Sequence, residues 1–157
     1  GDAFRAFFAN DTYSSNIARE ITAKGELQPL FLTISMWASA FRDELKPDDH
    51  IFIDGYPRVE AEAIAVESAL TFFKRQNPII IDFQVSRESS KLRMEKRGRA
   101  EDTLENMETR LDWYERDVMP AIEYMKNQQG HIYWSVDGER SIESIHEDII
   151  SRLEKLS

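Results

Sequence analysis

Three short apolar runs set the frame for this chain: Ile51-Phe52-Ile53, Pro78 to Val85 (PIIIDFQV) and His131 to Val136 (HIYWSV). None alternates cleanly between apolar and polar residues. Each therefore reads as a strand covered on both faces, as in a parallel sheet. Parallel neighbours need long crossovers, and the segments between the runs carry helical periodicity. From Pro57 to Lys74 the apolar positions are Ala61, Ile64, Ala65, Leu70 and Phe73. Leu104, Met107, Leu111, Tyr114 and Val118 recur every three or four residues and read as core, and Pro120 should kink or end that stripe. Ser141 opens a last helix with Ile142, Ile145, Ile149 and Leu153, and the first 50 residues read as almost wholly helical, broken near Gly25 and Pro29. Strands alternating with helices predict right-handed βαβ crossovers in a layered α/β fold.

With 157 residues and no repeat, linker or low-complexity tract, the chain reads as a single domain, 1–157. Its 41% hydrophobic content excludes a disordered polymer. Cysteine is absent, which rules out a disulfide scaffold, a cysteine nucleophile and any Cys-ligated metal. No apolar run approaches the ~20 residues of a membrane span, and no signal-peptide pattern opens the chain, so a cytoplasmic setting and no membrane partner are expected. The net charge of −9 argues against a nucleic-acid partner. The charge is uneven, however: Ser86 to Arg99 carries a local +4. Arginine outnumbers lysine 13 to 7, and its planar fork grips phosphate, so a small phosphorylated ligand is expected.

Two stretches carry the chemistry. In Ile51-Phe52-Ile53-Asp54-Gly55-Tyr56-Pro57-Arg58 a strand ends in an acid, a glycine and a proline placed to start a helix. At the carboxyl end of such a strand, Asp54 can orient a hydrated magnesium ion and Arg58 can reach a phosphate. The same residues also make an ordinary strand–turn–helix junction with a capping acid and a surface arginine, and spacing alone does not choose. In Lys91 to Thr103, Arg93 and Arg97 fall on one helical face, and Gly98 permits a turn that returns Arg99 to the same space. Asp102 or Thr103 can cap the next helix, which carries Arg110. Converging guanidiniums repel unless a polyanion bridges them, which suits a triphosphate or a pair of phosphates. The alternative is a solvated basic helix paired with Glu95, Glu101 and Asp102. His50, His131 and His146 share no metal-ligand spacing and read as surface or structural residues.

Read together, these pieces resemble the adenylate kinases, nucleoside monophosphate kinases with a P-loop fold. The matching residues are Gly1-Asp2 with Arg5, Lys24-Gly25-Glu26-Leu27-Gln28-Pro29, Asp54-Gly55-Tyr56-Pro57-Arg58, Arg97-Gly98-Arg99-Ala100-Glu101-Asp102, Arg110 and Val136-Asp137-Gly138. The resemblance implies a P-loop NTPase-like three-layer α/β/α fold, its parallel sheet flanked by helices. A helical NMP-binding region would occupy roughly 1–45, and a very short lid 93–102. It implies reversible transfer, ATP plus AMP giving two ADP, with Mg2+ bound alongside ATP, by a monomer.

Carried over by position, Arg5 and Arg58 would hold the monophosphate's phosphate. Glu26, Leu27 and Gln28, with Gly55, Tyr56, Pro57 and Arg58, would frame the acceptor. Arg93 and Arg97 would face ATP, Arg99 and Arg110 would bridge donor and acceptor, and the backbone of Arg140 would touch the ATP adenine. Glu62 stands where AMP-specific members read adenine with glutamine, which keeps a UMP or CMP acceptor open. A nucleotide-binding module without transferase activity is the rival from another class. The chain holds no Gly-x-x-x-x-Gly-Lys-[Ser/Thr], so the resemblance predicts a fragment without its P-loop, inactive and poorly folded alone. The absent strand would leave a gap between the Ile51 and Pro78 strands.

Overall fold

The computed structural model describes residues 2–99 and 102–156; Gly1, Ala100 and Glu101 of the motifs above lie outside the described residues. Three helices open the chain: α1 (Asp2–Phe8), α2 (Tyr13–Ala23) and α3 (Leu30–Glu44). Then follow α4 (Glu60–Phe72), β1 (Ile79–Gln84), α5 (Arg87–Arg97), α6 (Leu104–Trp113), a π-helical turn (Tyr114–Val118) and α7 (Met119–Lys126). β2 (Ile132–Asp137) and α8 (Ile142–Glu154) complete the order.

Side chains at the helix starts explain several boundaries. Thr12, Ser86, Thr103 and Ser141 each accept a hydrogen bond from the backbone N–H three residues on, satisfying a donor the helix leaves unpaired. α4 begins later than its periodicity predicts, at Glu60 rather than Pro57. The reason is local: Glu62 accepts from the Arg58 N–H at 2.7 Å and holds the preceding turn out of the helix. Pro120 marks an irregularity in its helical stretch, as expected, without stopping it. It sits at the start of α7, just after the π turn, where a wider turn accommodates the missing N–H.

β1 and β2 pair in parallel, from Ile79 opposite Ile132 to Gln84 opposite Asp137, as the apolar runs predict. The core lies between α4 and α7. Ala63 and Ala121 are fully buried there, so the two helices approach closely around Val66, Leu70 and Met125, and Ile80 packs against this cluster from the sheet. Each large aliphatic buried in this way is worth about 1.5–3 kcal/mol. Next to it, His131 is a structural residue: Nδ1 meets the Met125 carbonyl at 2.7 Å and Nε2 meets Glu67 at 2.8 Å.

The third expected strand is not one. Ile51–Ile53 makes no ladder among the described residues, and Phe52 is 93% exposed. Ile51 packs against the core cluster, but no neighbouring strand satisfies the backbone of this segment. A strand lying between it and β1 is what the resemblance implies, and the described residues supply none there. No described helix is long and apolar enough to cross a membrane.

Candidate active site

Helices α1 to α3, the turn before α4, and α5 with α6 surround a cavity of about 1240 Å³. Arg5 reaches it from the last turn of α1, and Glu26, Leu27 and Gln28 from the α2–α3 turn. Asp54, Gly55, Tyr56 and Arg58 line it from the turn before α4, and Glu62 from α4 itself. Arg93 and Arg97 of α5, Arg99 beyond it and Arg110 of α6 complete the wall. Two expected residues are not part of it. Pro57, joined to Tyr56 by a cis peptide, is not a lining residue. Arg140 turns its guanidinium onto Asp148 at 2.7 Å.

The turn before α4 is built around a buried carboxylate. Glu62 is 4% exposed. One oxygen takes the Arg58 N–H, and the other takes the Thr33 hydroxyl at 2.5 Å, which joins α3 to α4. Arg58 Nε donates to the Gly55 carbonyl at 2.7 Å. Its guanidinium lies over the Trp113 ring, 5.7 Å from the centroid, and forms no ion pair among the described residues. Although Arg58 opens onto the cavity, the surrounding protein removes enough water to pull its pKa below the ordinary value. Arg110 adds to that shift, and the charges of Glu62 and Asp54 oppose it. Burial likewise pushes the neighbouring Tyr56 hydroxyl up to about 12.

The opposite wall is built around an ion pair. Gly98 takes the left-handed conformation (φ +63°) that ends α5 and turns the chain towards Arg99. Thr103 caps α6, which frees Asp102 for another task. Asp102 takes two hydrogen bonds from Arg97, at 2.9 and 2.7 Å, and one from Arg110 at 2.6 Å. Its side chain is 1% exposed. Hydrogen bonds from Arg97 foremost hold its carboxyl below the usual range, against the opposing effect of burial. This bears out one part of the alternative reading, in which Asp102 pairs with the basic stretch: the chain itself supplies a carboxylate to two of these arginines.

The basic stretch divides between its two readings. Arg87 pairs with Glu108, Asp112 and Glu115, and Lys91 pairs with Glu108, so these two cations tie α5 to α6. Arg93 donates to the Gly138 carbonyl at 2.6 Å while facing the cavity with Arg97 and Arg99.

Sequence reading missed two contributors on α6. Asn106 Nδ2 donates to the Ala23 carbonyl and Trp113 Nε1 to the Gly25 carbonyl, each at 3.3 Å. Both stand on the face of Arg110, four residues before it and three after, and that spacing was the available signal. Gly25 permits the approach: its φ is +73°, and a Cβ there would lie 3.0 Å from Asn106 Oδ1. The supposed core stripe beside them is mixed. Met107 is buried, but Leu111 and Tyr114 line the cavity.

Comparison with known proteins agrees with this architecture. The family model described as adenylate kinase matches residues 1–130. The chain is 31% identical over 160 residues to a protein of Bacteroides thetaiotaomicron named adenylate kinase, covering 99% of this chain and 83% of that one. A protein of the same name from Corynebacterium urealyticum is 32% identical over 155 residues, again covering 99% and 83%. One from Leuconostoc mesenteroides is 29% identical over 157 residues, covering 100% and 82%. The arginine-lined cavity thus lies in a chain matched over nearly its whole length by proteins of one name, and the chain belongs to the adenylate kinase family of phosphotransferases.

Proposed function

We propose that Arg58 and Arg5 hold the phosphate of AMP, that Arg93 and Arg97 face the phosphates of ATP, and that Arg99 and Arg110 bridge the two. The reading is carried by one observation: Arg58, Arg97, Arg99 and Arg110, from separate segments, open onto a single cavity. In the transfer, the terminal phosphorus of ATP parts from its bridging oxygen and bonds to an oxygen of the acceptor phosphate. Little covalent chemistry is left to the protein. Alignment and charge neutralisation supply most of the acceleration, which is what arginines at both ends of the path provide. Arg93, Arg97 and Arg99 belong to the short lid, whose closure keeps water from the reacting phosphates.

Residues 26–28, with Gly55, Tyr56 and Arg58, frame the acceptor nucleotide. Arg140 acts through its backbone on the ATP adenine, its guanidinium being committed to Asp148. Asp54 puts a single exposed carboxylate on the cavity wall, and magnesium typically binds one or two carboxylates alongside waters and substrate phosphates, so Asp54 fits as an anchor for the ion's water shell. When bound, Mg2+ offsets charge on the ATP phosphates. Glu62 can only accept hydrogen bonds, so it suits a base that offers a donor there, and the amino group of adenine or cytosine and the ring N–H of uracil all meet that requirement. The setting is a monomer in the cytoplasm, where adenine nucleotides are free.

Calorimetric titration of AMP and ATP tests these roles. A hydrogen bond to a charged group is worth about 1.5–3 kcal/mol, so Arg58→Ala should weaken AMP roughly 10- to 150-fold, and Arg99→Ala should weaken ATP. Unchanged affinities in both variants would sink the assignment.

A further inference from the structure

We propose that Trp113 is a positioning residue for the acceptor phosphate, seating Arg58 and fastening the α2–α3 turn to the helix that carries Arg110. The proposal rests on Arg58 holding that phosphate. Two contacts carry it. The Arg58 guanidinium lies over the indole at 5.7 Å, and the indole N–H reaches the Gly25 carbonyl at 3.3 Å. One side chain therefore touches both turns of the acceptor side, while its own helix presents Arg110 one turn away.

The chemistry of the seat matters. A carboxylate beneath Arg58 would orient it but would compete with phosphate for its charge. An aromatic face attracts the cation through its quadrupole and leaves the charge uncompensated. Nε is already committed to the Gly55 carbonyl, so the two terminal nitrogens remain to grip phosphate as a fork.

The test is a double-substitution cycle read by AMP titration on the full chain. Trp113→Leu keeps an apolar side chain but removes the π face and the N–H. It should weaken AMP about tenfold, near the middle of the range for a cation–π contact. In an Arg58→Ala background the same change should cost less than about twofold, because nothing is left to seat. Trp113→Phe, which restores an aromatic face without the N–H, should recover most of the loss and guards against a folding artefact. Equal costs in both backgrounds would show a merely structural role and overturn the proposal, as would full AMP affinity in Trp113→Leu or equal affinities in the Leu and Phe variants. If Arg58→Ala alone keeps native AMP affinity, the acceptor-site reading fails and takes this inference with it. If Arg58→Ala loses AMP affinity and Trp113→Leu does not, only the inference fails.

Discussion

The two walls of the cavity hold their arginines by opposite means. On one side Arg58 is seated on an indole and a backbone carbonyl, with no ion pair among the described residues. On the other, Arg97 and Arg110 share the carboxylate of Asp102. A neutral seat leaves the full charge of this exposed cation available to an incoming anion. A shared carboxylate makes the empty site comfortable but must be outcompeted or accommodated when phosphate arrives. One wall thus keeps a cation without a carboxylate partner among the described residues, and the other holds two cations against a shared one.

The largest effect should come from removing the shared carboxylate. Asp102→Asn takes from two crowded guanidiniums the carboxylate they share and should cost roughly 1–3 kcal/mol in urea unfolding, less than a fully buried pair because Arg97 is partly solvated. AMP affinity should stay within about twofold, since Arg58 does not depend on Asp102. A stable variant with weakened AMP binding would break the contrast. Acid sharpens the same point. The folded pKa of Asp102 is lowered, so its contribution is present above the ordinary Asp value near 4 and is lost as pH falls through the folded value. Stability measured below about pH 5 should fall more steeply in the native chain than in Asp102→Asn.

Glu62→Gln should act more gently on the other wall. It keeps the bulk and one acceptor for the Arg58 N–H, but an amide can also donate to a ring nitrogen of adenine, so any preference for AMP over UMP should widen by a few-fold in competing titrations. An unchanged ratio would remove Glu62 from base selection. The smallest change is expected from Arg140→Ala, which loses an exposed ion pair and no more than about 1 kcal/mol in thermal unfolding, because Asp148 keeps Arg152 at 2.8 Å.

Much of this was legible in the chain where the cause was local. The hydroxyl caps at Thr103 and Ser141 and the turn at Gly98 follow from near neighbours in sequence, as does the strand character of the runs around Ile80 and Trp134. The arginines announced themselves by composition and spacing. Asp102 could be read two ways, as a cap or as a partner of the basic stretch, and the choice fell only once Thr103 was seen to cap α6. Trp113 was hidden because its partners at Gly25 and Arg58 are dozens of residues away. Ile51–Ile53 had the apolar character of a strand, yet strand pairing belongs to two segments, and one segment's character does not supply its neighbour.

The π turn at Tyr114–Val118 joins two helices with unlike obligations. Before it, α6 directs Arg110 and Trp113 at the cavity; after it, α7 buries Ala121 and Met125 against α4. A regular α-helix advances ~100° per residue, so a single deletion within 114–118 would swing one of these faces a quarter-turn or more away from its target. Substitutions should be tolerated there far better than changes in length, which makes residue count, more than residue identity, the constraint on this short stretch.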